Sequence, residues 1–213
     1  MTKTLTNAIL FLALLVGGIQ TAVQAEEFKP GTDYDLINPP QPTEDPKKVE
    51  VIEFFWYGCP HCLEFEPDLN AWLKTKPQNV LFIRQPAVFN DVWAAHAKAF
   101  FTAEALGVSD KLHADFFDAI QHKKEKLTTE EDLAKFFVAH GVSEDDFHKA
   151  YKSFAVDSKM RLAAATGPRY GITGTPSLVV NGKYLISPGK SKSFGRMIQI
   201  ANALIAQESG KKK

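Results

Sequence analysis

Val51-Ile52-Glu53-Phe54-Phe55-Trp56-Tyr57-Gly58-Cys59-Pro60-His61-Cys62 is the stretch on which the fold turns. A β-branched and aromatic run stops abruptly at a Cys-x-x-Cys. Such a run reads as a buried strand, about 49–57. Pro60 has no N–H to donate and holds φ near the helical value, which suits the first turn of a helix of about 60–75. Cys59 is therefore expected where a strand hands over to a helix N-terminus. A thiolate there meets unpaired backbone N–H groups and the positive end of the helix dipole. Both lower its pKa, which makes it the attacking or leaving sulfur in thiol–disulfide exchange. Cys62, three residues on, is close enough to close an intramolecular disulfide.

The chain has 213 residues and 2 cysteines, so one internal bridge is all it can form. A structural staple gains most from closing a long loop, and this bridge closes almost none. Structural zinc wants four ligands, and no third cysteine exists. Redox use is the reading that remains strongest. Hydrophobic residues make up 45% of the chain and Phe alone numbers 16, enough for a sizeable core, while the formal charge of zero argues against nucleic-acid binding.

Residues 1–25 read as a signal peptide cleaved after Ala25. Lys3 supplies the positive start, Ala8 to Gly18 is apolar, and Val23-Gln24-Ala25 offers small residues for cleavage. The apolar run is short of the ~20 residues a spanning helix needs. Export places the mature chain in an oxidising compartment.

Outward from the motif, Glu26 to Lys48 is proline-rich, with a short edge strand at Tyr34-Asp35-Leu36-Ile37. Pro67 falls inside the helix that follows the cysteines and should kink it. Val80-Leu81-Phe82-Ile83 is a second buried strand, completing a βαβ unit with parallel strands. From 91 to 166 the apolar period becomes helical. Trp93, Ala97, Phe100 and Phe101 share one face, and Leu112, Phe116 and Ile120 another. Thr128-Thr129-Glu130-Glu131 reads as a capping box. Ser143 is expected to cap a helix that carries Phe147, Tyr151 and Phe154 and runs to about Thr166, where Gly167-Pro168 should break it. Strand chemistry then resumes in a hairpin around Asn181-Gly182, of type I′. A last helix is expected over about 191–207.

Phe-Trp-Tyr-Gly-Cys-Pro-His-Cys together with a later Gly-Thr-Pro resembles the DsbA-type thiol:disulfide oxidoreductases of the thioredoxin superfamily. The resemblance implies an α/β thioredoxin fold, βαβ plus ββα, with an all-helical insertion between the halves. The expected division is 26–90 and 167–213 for the thioredoxin-like domain and 91–166 for the insertion. It implies an oxidase that hands the Cys59–Cys62 disulfide to reduced or unfolded exported proteins in the periplasm through a mixed disulfide on Cys59. Cys62 would resolve that intermediate. Pro60 and His61, between the cysteines, would tune the redox potential, with His61 stabilising the Cys59 thiolate. Glu53, six residues before Cys59, matches a buried acid that exchanges a proton with Cys62; read from its strand alone it is either a costly buried carboxylate or an edge-facing one. Gly174, Thr175 and Pro176 match the substrate-binding loop, with Pro176 in cis. No bound cofactor or metal is implied. A membrane quinone-linked, DsbB-like partner would reoxidise a monomeric enzyme. The dithiol form should be the more stable one, because an acidified Cys59 stabilises it while so short a cross-link stabilises the other form little.

Two other classes fit a Cys-x-x-Cys. A disulfide isomerase or reductase usually carries a dimerisation domain, and the chain before Val49 is too short and proline-rich for one. A binding module with a vestigial disulfide would fail to oxidise a reduced peptide. The remaining histidines (His96, His113, His122, His140, His148) show no metal-ligand spacing and read as surface or packed residues.

Overall fold

A computed structural model describes residues 27–211; residues 1–25, where a signal peptide is expected, lie outside the described residues. The sheet is built on β2 (Val49–Phe55), the strand that follows a two-residue edge strand, β1 (Asp35–Leu36). Every residue of β2 is buried, which is why its sequence is a nearly continuous apolar run rather than an alternation. It pairs in parallel with β3 (Val80–Pro86) and antiparallel with β4 (Ser177–Val180). β4 continues through β5 (Tyr184–Ile186) to β1, giving the order β1-β5-β4-β2-β3.

α1 (Pro60–Thr75) makes the crossover from β2 to β3. It covers one face of the sheet together with the C-terminal helix, where Val49, Val51, Leu178 and Val180 pack on Phe65, Leu69, Met197 and Ile200. The opposite face packs Ile52, Phe54 and Val179 against Ile37, Tyr170 and Ile172. Strand alternation therefore places Glu53 on the α1 face with Val49 and Val51.

Between β3 and β4 lies the helical insertion: α2 (Asp91–Ala105), α3 (Ser109–Phe117) with a π-helical turn at Asp118–His122, α4 (Glu130–Ala139), α5 (Glu144–Tyr151) and α6 (Phe154–Arg169). Side-chain oxygens of Asn90, Thr129 and Ser143 cap α2, α4 and α5 by accepting N–H bonds from the first turn. Its core is aromatic, with Phe55, Phe100, Phe116, Phe117, Phe137 and Phe147 in one cluster. Burying each ring contributes roughly 1.5–3 kcal/mol.

Two expectations about this region fail. The single helix expected from Ser143 to Thr166 is two, because Ser153 accepts the N–H of Val156 and starts a new one. Phe154 consequently lies 80% exposed and outside the aromatic core. Nor does Gly167-Pro168 end α6, which continues to Arg169. A proline so near a helix end removes one backbone bond and leaves the last turn intact. The stop is Gly171, at φ +68°, with the Gly171 N–H bonded to Pro168 O and the Ile172 N–H to Gly167 O. That is a Schellman ending, which the Tyr-Gly-Ile sequence encodes.

After β5, a short α7 (Pro188–Ser191) precedes α8 (Phe194–Lys211). Among the described residues no helix is long and apolar enough to cross a membrane. The β4–β5 turn has Asn181 and Gly182 at φ +52° and +66°, as a type I′ hairpin requires. Gly182 also touches the segment before β2: its carbonyl accepts from the Gln41 N–H at 2.8 Å. A Cβ there would stand 2.1 Å from the Gln41 carbonyl oxygen. Gly182→Ala should therefore lower stability by about 2 kcal/mol, combining left-handed strain with displacement of Gln41. Equilibrium denaturation checks this; a midpoint within error of wild type would show that the Gln41 segment yields freely.

Candidate active site

β2 ends at Phe55, and Trp56 to Cys59 turn the chain into α1, with the Cys59 N–H bonded to Trp56 O at 2.9 Å. Cys59 is the N-cap of α1 in extended backbone (φ −87°, ψ 115°), and Pro60 opens the helix. Both cysteines are thiols, Cys59 8% exposed and Cys62 fully buried. The Cys59 thiol is pulled down to about 6, first by a hydrogen bond from the Cys62 thiol, then by the Thr175 side chain and by the amides of Cys62 and His61, against the opposing effect of burial. Burial pushes the Cys62 thiol far up, and the neighbouring Cys59 and Glu53 add to it. One sulfur is thus made a good anion and the other a poor one, by their different depths in the same helix turn.

The His61 ring turns outward. Its Nδ1 lies 2.8 Å from Glu64 Oε2, and that carboxylate is the main cause that raises the His61 pKa, with the Cys59 charge contributing through space. The His61 backbone amide, rather than the ring, is what helps lower the Cys59 pKa, although the Cys59 side chain makes no capping hydrogen bond to α1.

Gly174, Thr175 and Pro176 form the loop before β4, and Thr175 meets Cys59. The Thr175–Pro176 bond is cis, and the Cys59 thiol donates to the Thr175 carbonyl at 3.3 Å. Ser177 Oγ donates to the Gly174 carbonyl at 2.8 Å and steadies the loop. Beside it runs a groove of about 730 Å³, lined by Leu36, Tyr170, Thr173, Gly174, Thr175 and Leu185 among others.

Glu53 is the buried carboxylate rather than an edge-facing one, with no exposed surface. Arg84 Nε donates to its Oε2 at 3.2 Å, while Oε1 has no hydrogen-bond partner among the described residues. Burial pushes its pKa up to about 8 despite Arg84, so the acid carries a proton at neutral pH.

Several residues around the site have no signature in the sequence reading. Arg84 sits opposite Glu53 in the parallel β2–β3 pairing and also bonds Glu66 through Nη2 at 3.2 Å. A signal did exist, since Glu53 and Arg84 are each the fifth residue of an apolar strand. Glu66 lies one turn after Cys62 on the buried face of α1. His113 joins Tyr57 Oη at 3.0 Å to Glu66 Oε1 at 3.2 Å. Gln121 Nε2 donates to the carbonyls of Tyr57 and Cys59, at 2.8 and 2.9 Å. Trp56 stacks on Trp93 with centroids 4.2 Å apart, and its indole N–H donates to His96 Nδ1 at 3.0 Å. These last contacts come from the insertion, and nothing local in the sequence announces them. Among the described residues no group of three or more His, Cys, Asp or Glu could hold a metal ion.

Residues 50–196 match the DSBA-like thioredoxin domain family. The chain is 42% identical over 210 residues to a thiol:disulfide interchange protein DsbA of Azotobacter vinelandii, an alignment that spans 98% of each chain. It is 39% identical over 213 residues to the protein of that name from Burkholderia cepacia, over the full length of both. Among solved structures, DsbA of Pseudomonas aeruginosa superposes with a TM-score of 0.83 at 38% identity, over 87% of this chain and 97% of the other.

Glu53 also leaves a mark on stability. Its folded pKa of about 8 stands above the ordinary 4.5, so the folded state holds a proton that the unfolded state releases between those values. Stability should therefore fall with pH across that window relative to Glu53→Gln, by about 1.4 kcal/mol per pH unit at most. Below the window the difference should be constant. Denaturant melts of both proteins across the pH range check this; parallel curves would mean that Glu53 ionises normally.

Proposed function

The chain belongs to the DSBA-like thioredoxin domain family, and from that premise we propose how its residues perform the interchange. It is a protein thiol:disulfide oxidoreductase with a thioredoxin fold and a helical insertion. In the reading favoured here, a substrate thiolate attacks Cys59 Sγ of the Cys59–Cys62 disulfide. The new S–S bond joins substrate to Cys59, and Cys62 leaves as a thiolate. Glu53, protonated at neutral pH, gives its proton to Cys62. A second substrate thiolate then attacks the substrate sulfur of the mixed disulfide and expels Cys59 as a thiolate. Two electrons pass from the substrate to the Cys59–Cys62 pair, and the substrate keeps the disulfide.

One observation carries this assignment: the low pKa of Cys59 beside the high pKa of Cys62. The more acidic thiol is the better leaving group, so release of the oxidised substrate is favoured when the mixed disulfide sits on Cys59. Cys59 is also the sulfur next to Thr175, where the loop of Gly174, Thr175 and Pro176 borders the groove that would hold an extended substrate chain. Pro60 supports the role by leaving α1 free to start at Cys59, and His61 supports it through its amide and a through-space charge.

The wider setting belongs to the same proposal. The signal peptide is removed after Ala25, and the mature enzyme works in the periplasm on reduced exported proteins. It acts as a monomer, without a bound cofactor, and passes its electrons to a membrane quinone-linked, DsbB-like partner. Residues 26–90 and 167–213 form the thioredoxin-like domain and 91–166 the insertion, with α6 running across the second boundary.

Cysteine variants test the assignment. With Cys62→Ser, mixed disulfides should accumulate on Cys59 when reduced substrate is offered to an activated sample, while Cys59→Ser should oxidise no peptide and trap none. Non-reducing gels and mass mapping read the outcome. Trapping on Cys62 in the Cys59→Ser protein would reverse the two roles.

A further inference from the structure

Two buried carboxylates share one guanidinium under the active site. Arg84 reaches Glu53 through Nε and Glu66 through Nη2. A single positive charge cannot hold two carboxylates ionised in a dry interior, so one of them keeps a proton. Either could, on the Arg84 contacts alone. The choice matters, because Glu53 is the one coupled to Cys62.

His113, on α3 of the insertion, breaks the tie. It is buried between Tyr57 Oη and Glu66 Oε1. Tyr57 keeps its proton, because burial raises its pKa well above the ordinary value. Its hydroxyl therefore donates to His113 Nδ1, which leaves Nε2 as the protonated nitrogen that donates to Glu66. Burial disfavours the imidazolium, so the ring serves as a neutral, oriented donor. Asn70 Nδ2 adds a donor to Glu66 Oε2 at 2.9 Å, and Glu53 receives no such help at Oε1.

We propose that His113 is a positioning residue for the interchange reaction: its Nε2–H, fixed by Tyr57, holds the negative charge on Glu66 and so leaves the shared proton on Glu53, beside Cys62. The proposal rests on the reading that Glu53 protonates the departing Cys62 thiolate. The insertion thereby sets the protonation state of the thioredoxin-like half from a distance. The groups that face the pair are Arg84 from β3, Cys62 and Asn70 from α1, Tyr57 from the β2–α1 turn and Asp110 from α3. None of the others is a neutral donor that favours one carboxylate while touching the catalytic loop.

The test is the titration of Glu53 itself in the reduced full-length protein, followed by the infrared carbonyl band of its protonated carboxyl and assigned by its loss in Glu53→Gln. In His113→Leu the proton should move toward Glu66 and the Glu53 midpoint should fall by about one to two pH units. His113→Gln can still donate to Glu66 and accept from Tyr57, so its midpoint should stay within about half a unit of wild type. In a Glu66→Gln background the His113→Leu change should produce no further shift. Should His113→Leu not fold, His113→Phe takes its place, since it fills the same space with a ring that offers Glu66 no donor. A Glu53 midpoint that ignores both Glu66 and His113 overturns the proposal, as does a His113→Leu shift that persists in Glu66→Gln. Peptide oxidation by the wild-type protein is scored separately, so failure of the oxidase reading and failure of this inference are different outcomes.

Discussion

The Cys59 sulfur sits at the start of α1, where its stabilising partners have no freedom to leave. The amides of His61 and Cys62 belong to the first helical turn and both lower the Cys59 pKa, while the Cys62 N–H also bonds the Cys59 carbonyl at 3.1 Å. The Cys62 thiol is carried on the same first turn and is too deeply buried to bond water. A thiolate at Cys59 meets these donors without reorganising the protein, and that preorganisation separates the two cysteines chemically although three residues separate them in sequence. The remainder of the fold keeps this junction in place. β2 brings the chain in from the centre of the sheet, α1 carries it out, and the loop before β4 closes over it.

The insertion contributes more than bulk. Gln121 ties the carbonyls of Tyr57 and Cys59, Trp93 and His96 hold Trp56, and His113 holds Tyr57. The connection from β2 to α1 is therefore clamped by the insertion. A thioredoxin-like core alone would leave this turn to hold its own shape. His113 alone of these also joins the clamp to the buried Glu66–Arg84–Glu53 set, so that loop geometry and carboxylate protonation meet at one side chain.

Much of this was legible in the sequence because it is local. An apolar run ending in Cys-Pro announces a strand–helix junction, Asn-Gly announces the hairpin, and Thr129 and Ser143 announce helix starts. Glu53 is legible as an anomaly, a charge inside a buried strand, whereas its partner Arg84 lies on another strand and is identified by the β2–β3 register. The break at Ser153 is hidden because the apolar period continues across it, and α6 ends at the Tyr-Gly-Ile cap rather than at the Gly-Pro pair before it. His113 and Gln121 were beyond sequence reasoning. Each looks like an ordinary helix residue until α3 and the π-helical turn fold back over the turn from Trp56 to Cys59.

The energetics of the dithiol form follow from Cys59. A pKa lowered from 9.0 to about 6 stabilises the reduced protein fully above pH 9 and ceases to do so as pH falls through 6. At pH 7 the contribution is about 1.4 kcal/mol, and by pH 8 it is about 2.7 kcal/mol. The opposing stabilisation from cross-linking a four-residue loop is about 2 kcal/mol and does not vary with pH. At pH 7 the cross-link is therefore slightly the larger, which reverses the order expected from the sequence, and the thiolate prevails only from between pH 7 and 8. The most direct measurement is the unfolding free energy of both redox forms from pH 5 to pH 9. The dithiol form should gain on the disulfide form by about 1.4 kcal/mol per unit between about pH 6 and the titration of the unfolded thiol, and overtake it between pH 7 and 8. A stability difference that stays flat across that range would mean that Cys59 titrates as an ordinary thiol, and the preorganised helix terminus would lose its place at the centre of the account.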